Sequence, residues 1–370
     1  MSREPFLEDE KYHLRRRRRL QRLRREKRLQ ARRRRLLKKL LPLGIVALSL
    51  IMIAIAMITM VVGKLNDKKA QTAQNEEAVQ VSGNETEAIV PLYRFQKTED
   101  TVEIQSEKMI SSNAILVNES TDMILAVKGE TERISPASMT KVLTILVAAE
   151  HISEENMSDT VPMTVEIMDY ILFNDCSAVG FKRGEKVPVK DLFYGTVLSS
   201  GADAALGLVN YVAGSQEAFV DMMNEKLKEL GLSDTAHFTN AIGLYDENHY
   251  CTVYDMAVMM KAAIKNELCR EILSARTYTT TSTIEHPEGI TISNWFLRRI
   301  EDKDVGGEVV CGKTGYVKEA KNCAVSYGTL KDETSYICVT AGSDSVWTCI
   351  DDQVEIYTNY RMESLEANEI

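Results

Sequence analysis

Residues 43–63 form a run of 21 positions without a charge, LGIVALSLIMIAIAMITMVVG. At about 1.5 Å per residue, a helix of that length crosses a hydrocarbon layer of about 30 Å. No water-soluble fold has a natural place for such a run, so it divides the chain into a part before it and a part after it. A cleaved secretory leader would have a shorter apolar region, about 7–15 residues, followed by a small-residue cleavage site. Met60-Val61-Val62-Gly63 does not resemble one, and the expectation is an uncleaved single span.

The charge is distributed to match. Residues 1–41 carry 18 Lys and Arg against 5 Asp and Glu, a net of +13, which leaves 27 against 49, a net of −22, for the remainder. Basic residues crowding one flank of a span hold that flank in the cytoplasm, so residues 1–42 are expected as a cytoplasmic tail and everything after the span faces outward across the cell membrane. Arg15 to Arg19 and Arg32 to Arg35 exceed what orientation needs. Anionic lipid at the leaflet surface is the expected partner of the surplus, at roughly 1 kcal/mol per basic residue near the surface. Nucleic acid is disfavoured, because the run has no interleaved aromatic residues to stack on bases.

Residues 64–102 are polar, rich in Gln, Asn, Glu and Lys, and show no sustained hydrophobic period, which predicts a flexible linker. The outward domain is then 103–370. All seven cysteines lie in it, at scattered spacing and without a Cys-x-x-Cys pair. That pattern excludes a full disulfide framework and a structural zinc site, and predicts buried single thiols. His151, His237, His249 and His286 are too dispersed to suggest a metal centre. With 44% hydrophobic and 27% charged residues overall, the outer domain has the means to bury an ordinary core.

Short apolar runs at 114–118 and 123–128 flank a turn and predict a hairpin. Ser135 and Pro136 then suit the N-cap and first position of a helix. That helix is apolar on every side through 142–149, so it should be buried. Helical patterns follow over 187–232 and 254–274. Strands return at 308–317, 322–330 and 334–342, and Val346, Trp347, Ile350, Val354 and Tyr357 recur at helical spacing on a last amphipathic helix. Strands at both ends with helices between predict an α+β fold, one antiparallel sheet covered by helices.

Within that frame Ser138 and Lys141 stand three apart in the expected first helical turn, so their side chains share a face. A serine hydroxyl attacks only if a base takes its proton, and a lysine can do so when burial or a neighbouring cation destabilises its ammonium. First-turn N–H groups have no helical partner, and the N–H of Ser138 is placed to stabilise a developing oxyanion. Ser-x-x-Lys occurs once in the chain. Lys313-Thr314-Gly315 lies in an expected strand, where a lysine and a hydroxyl beside a permissive glycine would suit an extended peptide docked alongside, with charge for its terminal carboxylate.

Taken together, Pro136-Ala137-Ser138-Met139-Thr140-Lys141, Leu198-Ser199-Ser200-Gly201-Ala202-Asp203, Phe238-Thr239-Asn240-Ala241-Ile242-Gly243-Leu244, His249-Tyr250-Cys251-Thr252 and Lys313-Thr314-Gly315-Tyr316 resemble, in kind and order, the serine D-alanyl-D-alanine carboxypeptidases, the low-molecular-mass penicillin-binding proteins. The resemblance spans about 103–363. It implies the penicillin-binding protein and β-lactamase type of fold, with a helical subdomain beside the sheet, no cofactor and no metal. It also implies removal of the terminal D-alanine from peptidoglycan stem pentapeptides, with Ser138 as nucleophile, Lys141 as its base and Ser200 as a proton relay to the leaving amine. Lys313 and Thr314 would hold the substrate carboxylate in a strand that Gly315 continues, the N–H groups of Ser138 and Tyr316 would form the oxyanion hole, and β-lactams would act as inhibitors. The family's second motif is usually Ser-x-Asn, whereas here Ala202 offers no side-chain hydrogen bond. Two other readings stand beside this one. A class A β-lactamase would need a Glu-x-x-Leu-Asn stretch that is missing between Ala202 and Lys313, and a tethered peptidoglycan-binding protein would use the cleft with little catalysis.

Overall fold

The computed structural model describes residues 93–331 and 333–361. The apolar run 43–63, the basic tail and most of the expected linker lie outside the described residues. Among the described residues no helix is long and apolar enough to cross a membrane.

The chain opens with β1 (Gln96–Glu103), then the hairpin β2 (Asn113–Asn118) and β3 (Met123–Lys128). A 3-10 turn, Ala137–Thr140, leads directly into α1 (Lys141–His151). The helical part follows: β4 (Thr160–Pro162), α2 (Val165–Phe173), β5 (Lys186–Pro188), α3 (Val189–Leu198), α4 (Ala202–Ala213), α5 (Gln216–Glu229), α6 (Val253–Lys265) and α7 (Glu267–Ser274). A small hairpin, β6 (Thr277–Thr279) and β7 (Thr291–Ser293), and a single turn of helix, α8 (Leu297–Ile300), return the chain to the sheet as β8 (Gly307–Val317), β9 (Lys321–Leu330) and β10 (Ser335–Ser343). Helix α9 (Val346–Asn359) follows, its N-terminus closed by a reciprocal capping pair between Ser345 and Thr348.

Six strands form one sheet in the order β1-β3-β2-β10-β9-β8. Five run antiparallel as expected, and β1 adds a parallel strand against β3. Strand β1 also corrects the expected linker boundary at 102, since the folded sheet begins at Gln96. Its sequence, QKTEDTVE, lies on an exposed sheet edge and lacks the apolar alternation that marks a half-buried strand. The inner strands β2, β9 and β10 are buried almost throughout. They are covered on both faces, by α6 on one and by α9 and α8 on the other, which is why they read as continuous apolar runs.

Helix α1 is the centre of the larger core. Every residue from Lys141 to Ala148 is buried, packed among α3, α4, α6 and the sheet. Burying side chains such as Leu143, Ile145 and Leu146 contributes roughly 1.5–3 kcal/mol each. The same packing forces Lys141 out of water.

One local expectation fails. Ser135 does not cap the helix: Pro136 occupies the cap position, Ala137 takes a left-handed φ of +46°, and the Ser135 hydroxyl has no hydrogen-bond partner. The backbone of Ile134 is instead bridged to Cys251, which draws Ser135 away from the helix axis. All seven cysteines are free thiols, six of them buried and Cys176 partly exposed.

Candidate active site

Ser138 sits in the 3-10 turn and Lys141 is the first residue of α1, one turn later. The Lys141 Nζ donates to Ser138 Oγ at 3.0 Å and to the carbonyl of Ile242 at 2.6 Å. Only 2% of Lys141 is exposed. Burial pushes its ammonium down to a pKa of about 8, while the nearby Cys176 and Asp203 pull in the opposite direction. Lysine at that value is neutral in a useful fraction of molecules near neutral pH.

The second serine, Ser200, lies in the short connection between α3 and α4 with a left-handed φ of +53°, a strained conformation for a residue with a side chain and common where function dictates geometry. Its Oγ accepts a hydrogen bond from Lys313 Nζ at 3.0 Å, and the same ammonium donates to the Thr314 carbonyl at 2.8 Å. Lys313 is 2% exposed. Burial, and then the like charge of Lys141, push its pKa well below the ordinary lysine value. Among the described residues neither lysine makes an ion pair. The cleft therefore has two buried amines with no carboxylate bonded to them.

Strand β8 is the outer strand of the sheet, so its free edge is available to an extended peptide. Its approach to the nucleophile turn is close. A Cβ on Gly315 would lie 2.8 Å from the Pro136 carbonyl oxygen and 2.9 Å from the Ser138 nitrogen, so no larger residue fits. Ser138, Ser200, Thr314, Gly315 and Tyr316 line one cleft of about 200 Å³, with Lys141 bonded to Ser138 and Lys313 to Ser200. All seven residues singled out in the sequence thus meet at one place. Ala202, first residue of α4, is 1% exposed, and its methyl group supplies no polar contact. Among the described residues no group of His, Cys, Asp and Glu is arranged to hold a metal ion.

Sequence reasoning reads His249 and Asp255 as loop-fixing residues but gives no role to Asn240 or Ile242, which build the back wall. Asn240 Oδ1 accepts the N–H groups of Ile242, Gly243 and Leu244 at 3.2, 2.8 and 2.9 Å, folding a tight loop whose Ile242 carbonyl aims the Lys141 ammonium. Gly243 has a φ of +81°, and a Cβ there would come within 1.9 Å of the Ala137 carbonyl oxygen. No side-chain pattern announces a carbonyl; the Asn-x-x-Gly spacing was the available signal. His249 is fully buried, stacked on Phe238, and accepts the Thr239 N–H at Nδ1. Its Nε2 is therefore the protonated nitrogen and donates to Thr140 Oγ1 at 2.8 Å. It fixes the turn that carries Ser138 and stands apart from the cleft. Asp255 caps α6 together with Thr252.

The fold and this constellation define the class of active-site-serine DD-peptidase folds. A family model described as D-alanyl-D-alanine carboxypeptidase matches residues 98–345, and the chain belongs to that family. It is similar to D-alanyl-D-alanine carboxypeptidase DacF of Bacillus subtilis, 35% identical over 217 residues, which is 58% of this chain and 52% of the relative. It is also similar to the D-alanyl-D-alanine carboxypeptidase of Streptomyces sp. strain K15, 30% identical over 224 residues, 59% of this chain and 76% of that one. The crystal structure of the Streptomyces K15 DD-transpeptidase superposes with a TM-score of 0.62 at 26% identity, covering 71% of this chain and all of that one. The chain spans about half the length of the first curated relatives it matches, between 40% and 52%.

Two predictions follow from the back wall. Gly243→Ala places a methyl group on the Ala137 carbonyl and should displace Ser138, lowering its acylation rate by a factor of ten or more, about 1.4 kcal/mol in the barrier; stopped-flow labelling with a fluorescent penicillin measures it. Burial holds the His249 pKa at about 4 against an ordinary 6.5. Between those values the unfolded chain binds the extra proton, so stability should be complete above pH 6.5 and fall as the solution is acidified toward 4. The loss should be roughly 3 kcal/mol, read from urea unfolding at several pH values.

Proposed function

We propose that the protein is a membrane-anchored serine D,D-carboxypeptidase that removes the terminal D-alanine from peptidoglycan stem pentapeptides. The observation that carries this reading is the pair of buried, unpaired lysines, each donating to a serine hydroxyl at one cleft beside a free strand edge.

Each step has a residue in place. Neutral Lys141 takes the proton of Ser138 Oγ as that oxygen attacks the carbonyl carbon between the two D-alanines. The N–H groups of Ser138 and Tyr316 receive the oxyanion. The proton taken by Lys141 passes by way of the Ser200 hydroxyl to the leaving nitrogen, and the C–N bond breaks to leave an acyl-Ser138 ester, free D-alanine and a neutral Lys141. Water then adds to the ester, its proton returning by way of Lys141, and the shortened peptide departs. Lys313 and Thr314 hold the substrate's terminal carboxylate, whose negative charge is what the two buried amines lack. A β-lactam mimics the dipeptide, but its leaving group stays tethered, so acyl-Ser138 should persist. The absence of an amide at Ala202 removes one hydrogen bond at a charged group, worth ~1.5–3 kcal/mol, enough to slow a step without abolishing it.

The anchor belongs to the same reading. The run 43–63 serves as a single span with the basic tail at anionic lipid on the cytoplasmic side, and the linker leads from residue 64 to β1. The folded domain then works on the outer face of the cell membrane, where peptidoglycan lies.

The test is release of D-alanine from a stem pentapeptide by the folded protein. Release should be lost in Ser138→Ala, and kcat/KM should rise about tenfold per pH unit up to about 8, then level as Lys141 loses its proton. Rapid turnover of fluorescent penicillin would indicate a β-lactamase instead, and absence of both labelling and release would indicate a binding protein.

A further inference from the structure

The cleft that holds Ser138 also has an aromatic wall that the mechanism above does not use. Asn294 Nδ2 donates to the Gly312 carbonyl of β8 at 3.0 Å, which seats Trp295 beside the strand just before Lys313. Trp295 and Val346 line the same cleft as Ser138 and Ser200. Trp347 packs against Trp295 with ring centroids 5.8 Å apart. The Arg299 guanidinium lies 3.7 Å over the Trp295 ring and 5.3 Å from that of Trp347, and its Nη1 donates to the Trp295 carbonyl at 3.2 Å. Its Nε is buried with no hydrogen-bond partner. Ring faces hold this cation, an arrangement that fixes the indole in one orientation.

The direction of the cleft tells which part of a substrate meets this wall. Along β8, Gly315 stands at the Ser138 nitrogen, Lys313 at Ser200, and Gly312 at Asn294. A path from the nucleophile past the residue that protonates the leaving amine therefore ends at Trp295. Thr314 lines the same cleft. We infer that Trp295, with Val346, determines which leaving residue the enzyme accepts: its indole packs on the leaving residue's side chain and favours a single methyl group. The inference rests on the proposed carboxypeptidase reaction and adds the specificity of its leaving-group end.

The physical consequence is measurable as a ratio. One methyl group in an apolar pocket is worth about tenfold or more in kcat/KM, so the unaltered protein should prefer an acyl-D-Ala-D-Ala peptide to the same peptide ending in D-Ala-Gly by at least about tenfold. It should reject one ending in D-Ala-D-Leu. Trp295→Ala should bring the D-Ala to Gly ratio close to unity and raise the relative rate of the D-Leu peptide, whereas Trp295→Phe should keep most of the preference. Val346 is 41% exposed at the start of α9, so Val346→Ala should fold normally and shift the same ratios in the same direction. Fluorescent-penicillin labelling of Ser138 in each variant reports that the fold and nucleophile are intact. If Trp295→Ala and Val346→Ala slow all three peptides by one common factor, the wall is merely structural and the inference is wrong. If the unaltered protein releases no terminal residue from any peptide, the carboxypeptidase reading itself fails and the inference falls with it. Release with unshifted ratios overturns the inference alone.

Discussion

The structure depends on keeping two amines out of water without giving them counter-ions. Burying an ammonium costs several kcal/mol even after relaxation, and Lys141 and Lys313 each pay it at 2% exposure. The hydrogen bonds they donate, to Ser138, the Ile242 carbonyl, Ser200 and the Thr314 carbonyl, recover part of that cost. The remainder shows as depressed proton affinity. A lysine in water is a strong acid-binder and useless as a base at neutral pH. The same side chain one turn from Ser138, inside a helix buried on every side, can accept a proton and return it.

That requirement explains the architecture around the cleft. Helix α1 has to be central, because only a helix wrapped by α3, α4, α6 and the sheet can desolvate a residue in its first turn. Two residues with side chains, Ala137 and Ser200, adopt left-handed backbone conformations on either side of the cleft. Each costs of order 1–3 kcal/mol, and the surrounding core over-determines them. The Asn240 loop and His249 lock the nucleophile turn from behind, and Gly315 lets β8 close to within contact of it. A rigid core thus carries strain that is concentrated at a few backbone positions.

Much of this was legible in the sequence, and the limits were physical. Ser138 and Lys141 announce themselves because helical spacing places them on one face. Lys313-Thr314-Gly315 does so because a polar triplet interrupts an apolar strand. The buried α1 followed from a run that is apolar but for Thr144. What stayed hidden acts through the backbone or through tertiary context. Ile242 contributes a carbonyl that every residue has, and nothing in Asn294-Trp295-Phe296 marks the indole until the contacts of Asn294 and Arg299 set it in place. Strand β1 is polar because its edge position exposes it. Ser135 looked like a cap because the local signal was sound, and it was overridden by the bridge from Ile134 to Cys251 and by the reversed φ of Ala137.

The central claim is that burial lowers the pKa of the Lys141 amine far enough for a useful fraction of it to be neutral close to neutral pH. It can be read directly from the titration of side-chain carbon-13 signals in protein labelled at lysine Cε, with Lys141 assigned by its disappearance in Lys141→Arg. A midpoint near 8 for that signal is expected, against 10.5 for a lysine in water. A midpoint at or above 10.5 would mean that the amine remains charged at every pH where the protein works, and Lys141 could not be the base.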